Sequence, residues 1–142
     1  MTDTVQDILQ AHSDAYAHDS ALEVVSHYDV PLAIYEDNHI SLLETEADIE
    51  SAVADMFRNA RAQGVEQFAF HISTKGQIRN RRFPVTIIWH FKAAVGNEIA
   101  MSEIQYFFRR RPSGRLVIEM MDFKKVAFPR SYAALTSETR QN

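Results

Sequence analysis

Up to Gly64 the apolar residues of this chain recur mainly every third or fourth position; from Phe68 onward they fall on every second one. The first spacing places Val5, Ile8, Leu9, His12, Ala15 and Tyr16 on one face of an amphipathic helix, with Asp3 and Asp7 near its start. Asp19 or Ser20 is placed to cap a short second helix with the apolar face Leu22, Val24, Val25 and Tyr28, ended by Pro31. Residues 32–35 and 40–43 read as two short strands around the turn formers Asp37 and Asn38. A third helix opens with Thr45 as its cap and Asp48 three residues on. It buries Ile49, Val53, Met56, Phe57 and Ala60, and Gly64 stops it.

Beyond Gly64, four long strands share one inward face. Its members are Phe68, Phe70 and Ile72; Val85, Ile87, Trp89 and Phe91; Ile104, Tyr106 and Phe108; and Leu116, Ile118 and Met120. Gly76, Gly96 and Gly114 separate these runs, which predicts a meander. A turn over Pro112, Ser113 and Gly114 sets Phe108 opposite Ile118, Tyr106 opposite Met120 and Ile104 opposite Asp122. A turn at 94–97 sets Ile87 opposite Ile104 and Val85 opposite Tyr106. The reverse face carries Ile88, Met101, Phe107, Val117, Met121 and Phe123 among His90, Glu103, Gln105 and Glu119. So apolar an outer face favours a homodimer formed through it.

Composition narrows the function classes. The chain has 142 residues, 46% hydrophobic and 24% charged, as expected of one globular domain. No apolar run reaches the roughly 18 residues of a membrane span, and Met1 to Asp7 lack the features of a signal peptide. A cytoplasmic location is expected. The chain has no cysteine, so disulfide and thiolate chemistry are excluded, and a formal charge of −4 argues against general nucleic-acid binding. The last residues, 129–142, read as a polar tail after a domain spanning 3–128.

The order of helices, two short strands, a further helix and a long meander resembles the nuclear-transport-factor-2-like (NTF2-like) superfamily, most of all its SnoaL-like and ketosteroid-isomerase-like branch. The helix-break-helix stretch from Ala15 to Tyr28 and the hairpin from Ser113 to Phe123 carry the likeness. The resemblance implies an α+β cone, its N-terminal helices packed on the concave face of a curved, mostly antiparallel sheet around a pocket. Members include isomerases, dehydratases, cyclases and non-catalytic binding domains, so the fold leaves the reaction open.

Three residues are candidates for acid–base chemistry. Asp122 falls on the inward face, where desolvation raises a carboxylate pKa; alternatively it pairs with Lys124 or a backbone amide. SnoaL-like cyclases place an acidic base on a late strand, and Asp122 is similar in position. Glu36 matches by position the base of ketosteroid isomerases, but Glu36, Asp37 and Asn38 are also good turn formers, and the turn is favoured. Tyr16 matches the region of an oxyanion-binding tyrosine, with a core role as the alternative. Phe70, Ile87, Trp89, Ile104, Tyr106 and Met120 are expected to line the pocket around a small apolar molecule, a carbonyl compound in the catalytic reading. No cofactor is required for such proton transfer.

Seven of the fifteen basic residues converge on one rim. Arg79, Arg81 and Arg82 share one turn, and Arg109, Arg110, Arg111 and Arg115 flank another about 10 Å away. They serve either solubility and edge protection or the capture of an anion. RNA binding would also want exposed aromatics between the arginines, and only Phe83 is well placed, which argues against nucleic acid. The six histidines show no ligand spacing along the chain, so no metal site is expected, and His71 and His90 fall on the outer face.

Overall fold

Thr4 begins the first helix in the computed structural model, which describes residues 3–127. Its hydroxyl accepts from the Asp7 N–H at 3.1 Å while the Asp7 carboxylate accepts from the Thr4 N–H at 3.0 Å, a closed capping box. The helix, α1 (Val5–Ala17), buries the six residues expected of its face. The second helix, α2 (Leu22–Val25), is shorter than its periodicity suggested. Its cap is Ala21 with no side-chain bond, Asp19 has left-handed φ at 54°, and Leu22 is 64% exposed. Tyr28 is not helical but starts strand β1 (Tyr28–Glu36), and Pro31 lies inside that strand. A proline is tolerated there because the pairing of β1 with its neighbour is irregular between Tyr28 and Ala33.

Asp37 and Asn38 both take left-handed backbone (φ 51° and 60°), closing a two-residue hairpin to β2 (His39–Leu43). Helix α3 (Glu46–Ala62) is capped by Thr45, whose hydroxyl accepts from the Asp48 N–H at 3.1 Å. Gly64 ends this region with φ at +86°, and a Cβ there would meet only Ile99 Cδ1 at 3.9 Å. Space is available, so the cost of a side chain is conformational. Gly64→Ala is expected to lower stability by about 1 kcal/mol, read by urea denaturation, and an unchanged midpoint would show that the turn relaxes freely.

The meander consists of β3 (Gln67–Lys75), β4 (Arg82–Lys92), β5 (Glu98–Arg110) and β6 (Leu116–Lys125). The six strands form one curved, unclosed sheet in the order β2-β1-β6-β5-β4-β3, antiparallel except for β1 against β6. This is the α+β cone, with α1 and α3 contributing Ile8, Leu9, Tyr16, Ile49 and Phe57 to the same core as the inward faces of the strands. No helix among the described residues is long and apolar enough to cross a membrane.

Register agrees with expectation in β4 and β5, where Ile87 faces Ile104 and Val85 faces Tyr106. It also holds at the last turn, where Phe108 faces Ile118 and the Arg111 N–H donates to the Arg115 carbonyl at 2.8 Å. One residue later it changes. Phe107 pairs with Met120, which leaves Glu119 as an extra residue in β6, a bulge. Because side chains alternate, the extra residue exchanges the two faces downstream. Met121 and Phe123 turn inward, whereas Met120 and Asp122 turn outward: Tyr106 faces Met121, Ile104 faces Phe123, and Asp122 lies beside Gln105. The tail at 129–142 and residue 128 lie outside the described residues.

Candidate functional site

A cavity of about 40 Å³ opens between α1, α3 and the inward face of the sheet. Its walls are largely apolar and aromatic: Val53, Met56 and Phe57 from α3, Phe68 and Phe91 from the sheet, and Met121 and Phe123 from β6 beyond the bulge. Five side chains bring polar atoms to it: His12, Tyr28, Trp89, Ser102 and Tyr106.

These polar groups are tied in pairs. His12 is 6% exposed; its Nδ1 lies 2.8 Å from the Ile8 carbonyl and its Nε2 lies 2.7 Å from the Tyr28 hydroxyl. A carbonyl oxygen only accepts, so Nδ1 carries the proton and Nε2 accepts from Tyr28. Burial brings the His12 pKa down to about 4, with the Ile8 hydrogen bond opposing and the neighbouring His27 assisting. The imidazole is therefore neutral at pH 7. On the opposite wall the Trp89 indole N–H donates to the Tyr106 oxygen at 2.8 Å. Ser102 Oγ accepts the Ala127 N–H at 2.9 Å, which ties the segment just after β6 to β5.

Of the expected pocket residues, Trp89, Ile104 and Tyr106 do line the cavity. Ile87 is fully buried in the core beside it, and Phe70 packs edge-on against Trp89 with ring centroids 5.5 Å apart. Met120 is on the other side of the sheet, in an outer depression with Pro31, Phe107, Arg109 and Glu119. Asp122 is likewise outside. Its side chain is 31% exposed and takes a hydrogen bond from Lys124 Nζ at 2.7 Å, the second of the two roles open to it in the sequence. The bulge at Glu119 is the reason in both cases.

Tyr16 is fully buried but not in the cavity wall. Its hydroxyl donates to the Val65 carbonyl at 2.5 Å, its ring stacks on Phe68 at 3.9 Å, and the Arg61 guanidinium lies 4.2 Å over it. Glu36 is buried at the end of β1, opposite His39 across the hairpin, and its neighbours Asp37 and Asn38 make the turn. Neither Tyr16 nor Glu36 is brought to the cavity. The residues sequence reasoning passed over are His12 and Tyr28. The available signal was a histidine on an otherwise apolar helix face, which must be neutral and hydrogen-bonded to lie there.

The two arginine-bearing turns lie side by side, with the Arg110 N–H donating to the Arg81 carbonyl at 2.8 Å. Their charges, however, meet carboxylates of the same chain. Arg82 and Arg109 face each other across β4 and β5, and Glu119 receives both, at 2.8 and 3.4 Å. Asp29 is held by Arg109 at 2.6 Å and Arg111 at 2.5 Å. Burial works to raise the Asp29 pKa, but the two guanidinium groups outweigh it and the net shift is downward. Arg79 and Arg82 exchange two backbone hydrogen bonds of 2.8 Å, and Arg81 borders a surface hollow with Ile78 and Phe83. Three of the seven rim arginines, Arg82, Arg109 and Arg111, thus close an internal network. Among the described residues, no three histidine, aspartate or glutamate side chains converge as a metal site.

Helices held against one open, mixed sheet with a buried cavity between them define the cone class of small-pocket domains. The chain matches the family NTF2-like protein (DUF6841) over residues 1–123 and belongs to it. Solved structures with the same fold include an NTF2-like protein of unknown function from Shewanella oneidensis MR-1 (TM-score 0.63, 13% identity, 84% of this chain and 94% of that one). A domain of unknown function with a cystatin-like fold from Nostoc punctiforme PCC 73102 is similar too (TM-score 0.64, 12% identity, 98% and 93%). So is a ketosteroid isomerase-like protein from Erwinia carotovora atroseptica SCRI1043 (TM-score 0.57, 13% identity, 86% and 93%). At these identities the likeness concerns the fold. None of the functionally curated proteins matches the chain.

Proposed function

We propose that the protein binds a small, mainly apolar molecule with one hydrogen-bonding head group in the cavity between α1, α3 and the sheet. The observation that carries this reading is the pairing of polar side chains in an otherwise apolar chamber, the usual make-up of a ligand site. Tyr28 gives its proton to His12, and Tyr106 receives the indole proton of Trp89, which sets two phenol oxygens in an otherwise apolar wall. A small hydroxy or carbonyl compound fits this pattern. The modest volume favours compounds well below the size of a steroid, unless Met56 or Phe123 moves aside.

Acid–base catalysis on such a carbonyl compound is the second reading, favoured by the 2.7 Å contact between Tyr28 and a neutral imidazole. In that case His12 is the base and Tyr28 the group that relays the proton, without a cofactor. A homodimer through the outer face belongs to the same proposal. Tyr35, Ile40 and Leu42 are exposed there on paired strands beside Ala33.

A thermal-shift panel of small phenols, cyclic ketones and hydroxy acids tests the binding reading. At least one compound is expected to raise the melting temperature, and Tyr28→Phe is expected to weaken that compound about tenfold through the lost hydrogen bond. Asp122→Asn, which alters only the outer face, is expected to leave the shift unchanged. A panel without effect, or equal loss in both variants, would remove the reading.

A further inference from the structure

On the outer face, away from the cavity, two imidazoles meet. His71 on β3 and His90 on β4 are diagonal neighbours, since Ala69 pairs with His90 and His71 pairs with Ile88. His71 Nδ1 lies 2.9 Å from His90 Nε2. The ring centroids are 5.0 Å apart and the planes differ by 23°. That centroid separation is nearly the nitrogen distance plus two ring radii, so the rings meet edge to edge with these nitrogens between them. The other nitrogen of His90, Nδ1, contacts Glu98 Oε1. The chain of contacts therefore runs from carboxylate to imidazole to imidazole.

We propose that His71 and His90 form a two-imidazole site for a divalent transition-metal ion, with Glu98 as the residue that positions His90. Imidazole nitrogens suit zinc, nickel and copper, and a ligating histidine commonly donates its remote N–H to a carboxylate. The His90–Glu98 contact supplies that arrangement. It fixes the proton on Nδ1 and leaves Nε2 as the donor atom. His71 is exposed, so its ring is able to give Nδ1 to the ion and carry its proton on Nε2. Tetrahedral coordination with metal–nitrogen bonds of about 2.0–2.1 Å needs the two nitrogens about 3.3 Å apart. The present 2.9 Å requires only a small swing of the exposed ring. Water completes the shell, because no third protein ligand converges among the described residues.

The site is hidden in the sequence because its ligands are 19 residues apart and meet only through strand pairing. It is independent of the cavity, which lies on the opposite face of β4 beside Trp89.

Isothermal titration of the intact protein with Cu(II), Ni(II) and Zn(II) at pH 7.5 tests it. One ion per chain is expected, with Cu(II) tightest. His71→Ala and His90→Ala are each expected to abolish that binding event, and Glu98→Gln to weaken it about tenfold. Affinity should also fall as the solution is acidified, because protons compete with the ion for both nitrogens. These variants are at the surface, and far-ultraviolet circular dichroism is expected to match wild type. Equal binding by wild type and the double alanine variant, or no binding event in wild type, would overturn the proposal. Binding that requires both histidines but ignores Glu98→Gln would overturn the role given to Glu98.

Discussion

Lowering the pH from 7 to 4 is expected to remove about 3 kcal/mol of folding stability through His12 alone. In the unfolded chain this imidazole takes up a proton near its ordinary pKa of 6.5; in the fold, burial holds it unprotonated until about 4. Between those values the unfolded state binds the proton and the native state does not, so acid pulls the equilibrium toward unfolding. The contribution is fully present above pH 6.5 and lost as the pH falls through that window. His27, half-buried and near Arg115, is shifted downward by desolvation first and by that guanidinium second, and it acts in the same direction. Asp29, with its net downward shift, adds its loss at lower pH, once its carboxylate protonates in the unfolded chain. Urea denaturation at a series of pH values measures the slope. His12→Leu removes the titrating group and is expected to flatten the slope between pH 6.5 and 4, whatever constant destabilisation it brings. An unchanged slope would mean that His12 is not buried neutral.

Wherever a single period governs a long run, the residues alone specify the structure. The six buried positions of α1 and the β4–β5 register follow from spacing, because one slipped residue would expose a whole apolar face. What spacing cannot reveal is an inserted residue that costs little. Glu119 is accommodated as a bulge because, once extruded, it bridges Arg82 and Arg109, which would otherwise repel each other across the strands. Apolar residues on both faces of β6 make either phase acceptable, and without the bulge the alternation puts Asp122 and Met120 on the inward side, opposite to where they lie. The beginning of β1 was obscured in another way. Tyr28 continues the helical spacing of Val24 and Val25, and only tertiary pairing with Ile118 makes it a strand residue. Since Tyr28 is the partner of His12, that one boundary concealed two of the five polar side chains on the cavity.

Tyr16 is expected to show, through two substitutions, that a tyrosine in a position associated with catalysis serves here as packing. Tyr16→Ala removes a fully buried ring stacked on Phe68 and edge-on to Phe57 at 5.1 Å, and should lower stability by about 3–5 kcal/mol. Tyr16→Phe keeps the ring and the cation–π contact with Arg61, and loses only the hydrogen bond to the Val65 carbonyl. Its cost should be about 1–2 kcal/mol, because that carbonyl is left buried beside an apolar ring edge. Burial, with the Arg61 charge opposing, raises the phenol pKa, so the hydroxyl stays a neutral donor throughout the physiological range. Any compound found to bind the cavity should shift the melting temperature of Tyr16→Phe by as much as it shifts wild type, since this hydroxyl points at backbone and not at the chamber. An oxyanion donor would behave the opposite way: the phenylalanine variant would keep its stability and lose its ligand or its turnover. The contrast depends on both measurements together, denaturation and ligand shift on the same variant, and a stable Tyr16→Phe protein that no longer responds to the compound would return Tyr16 to the site.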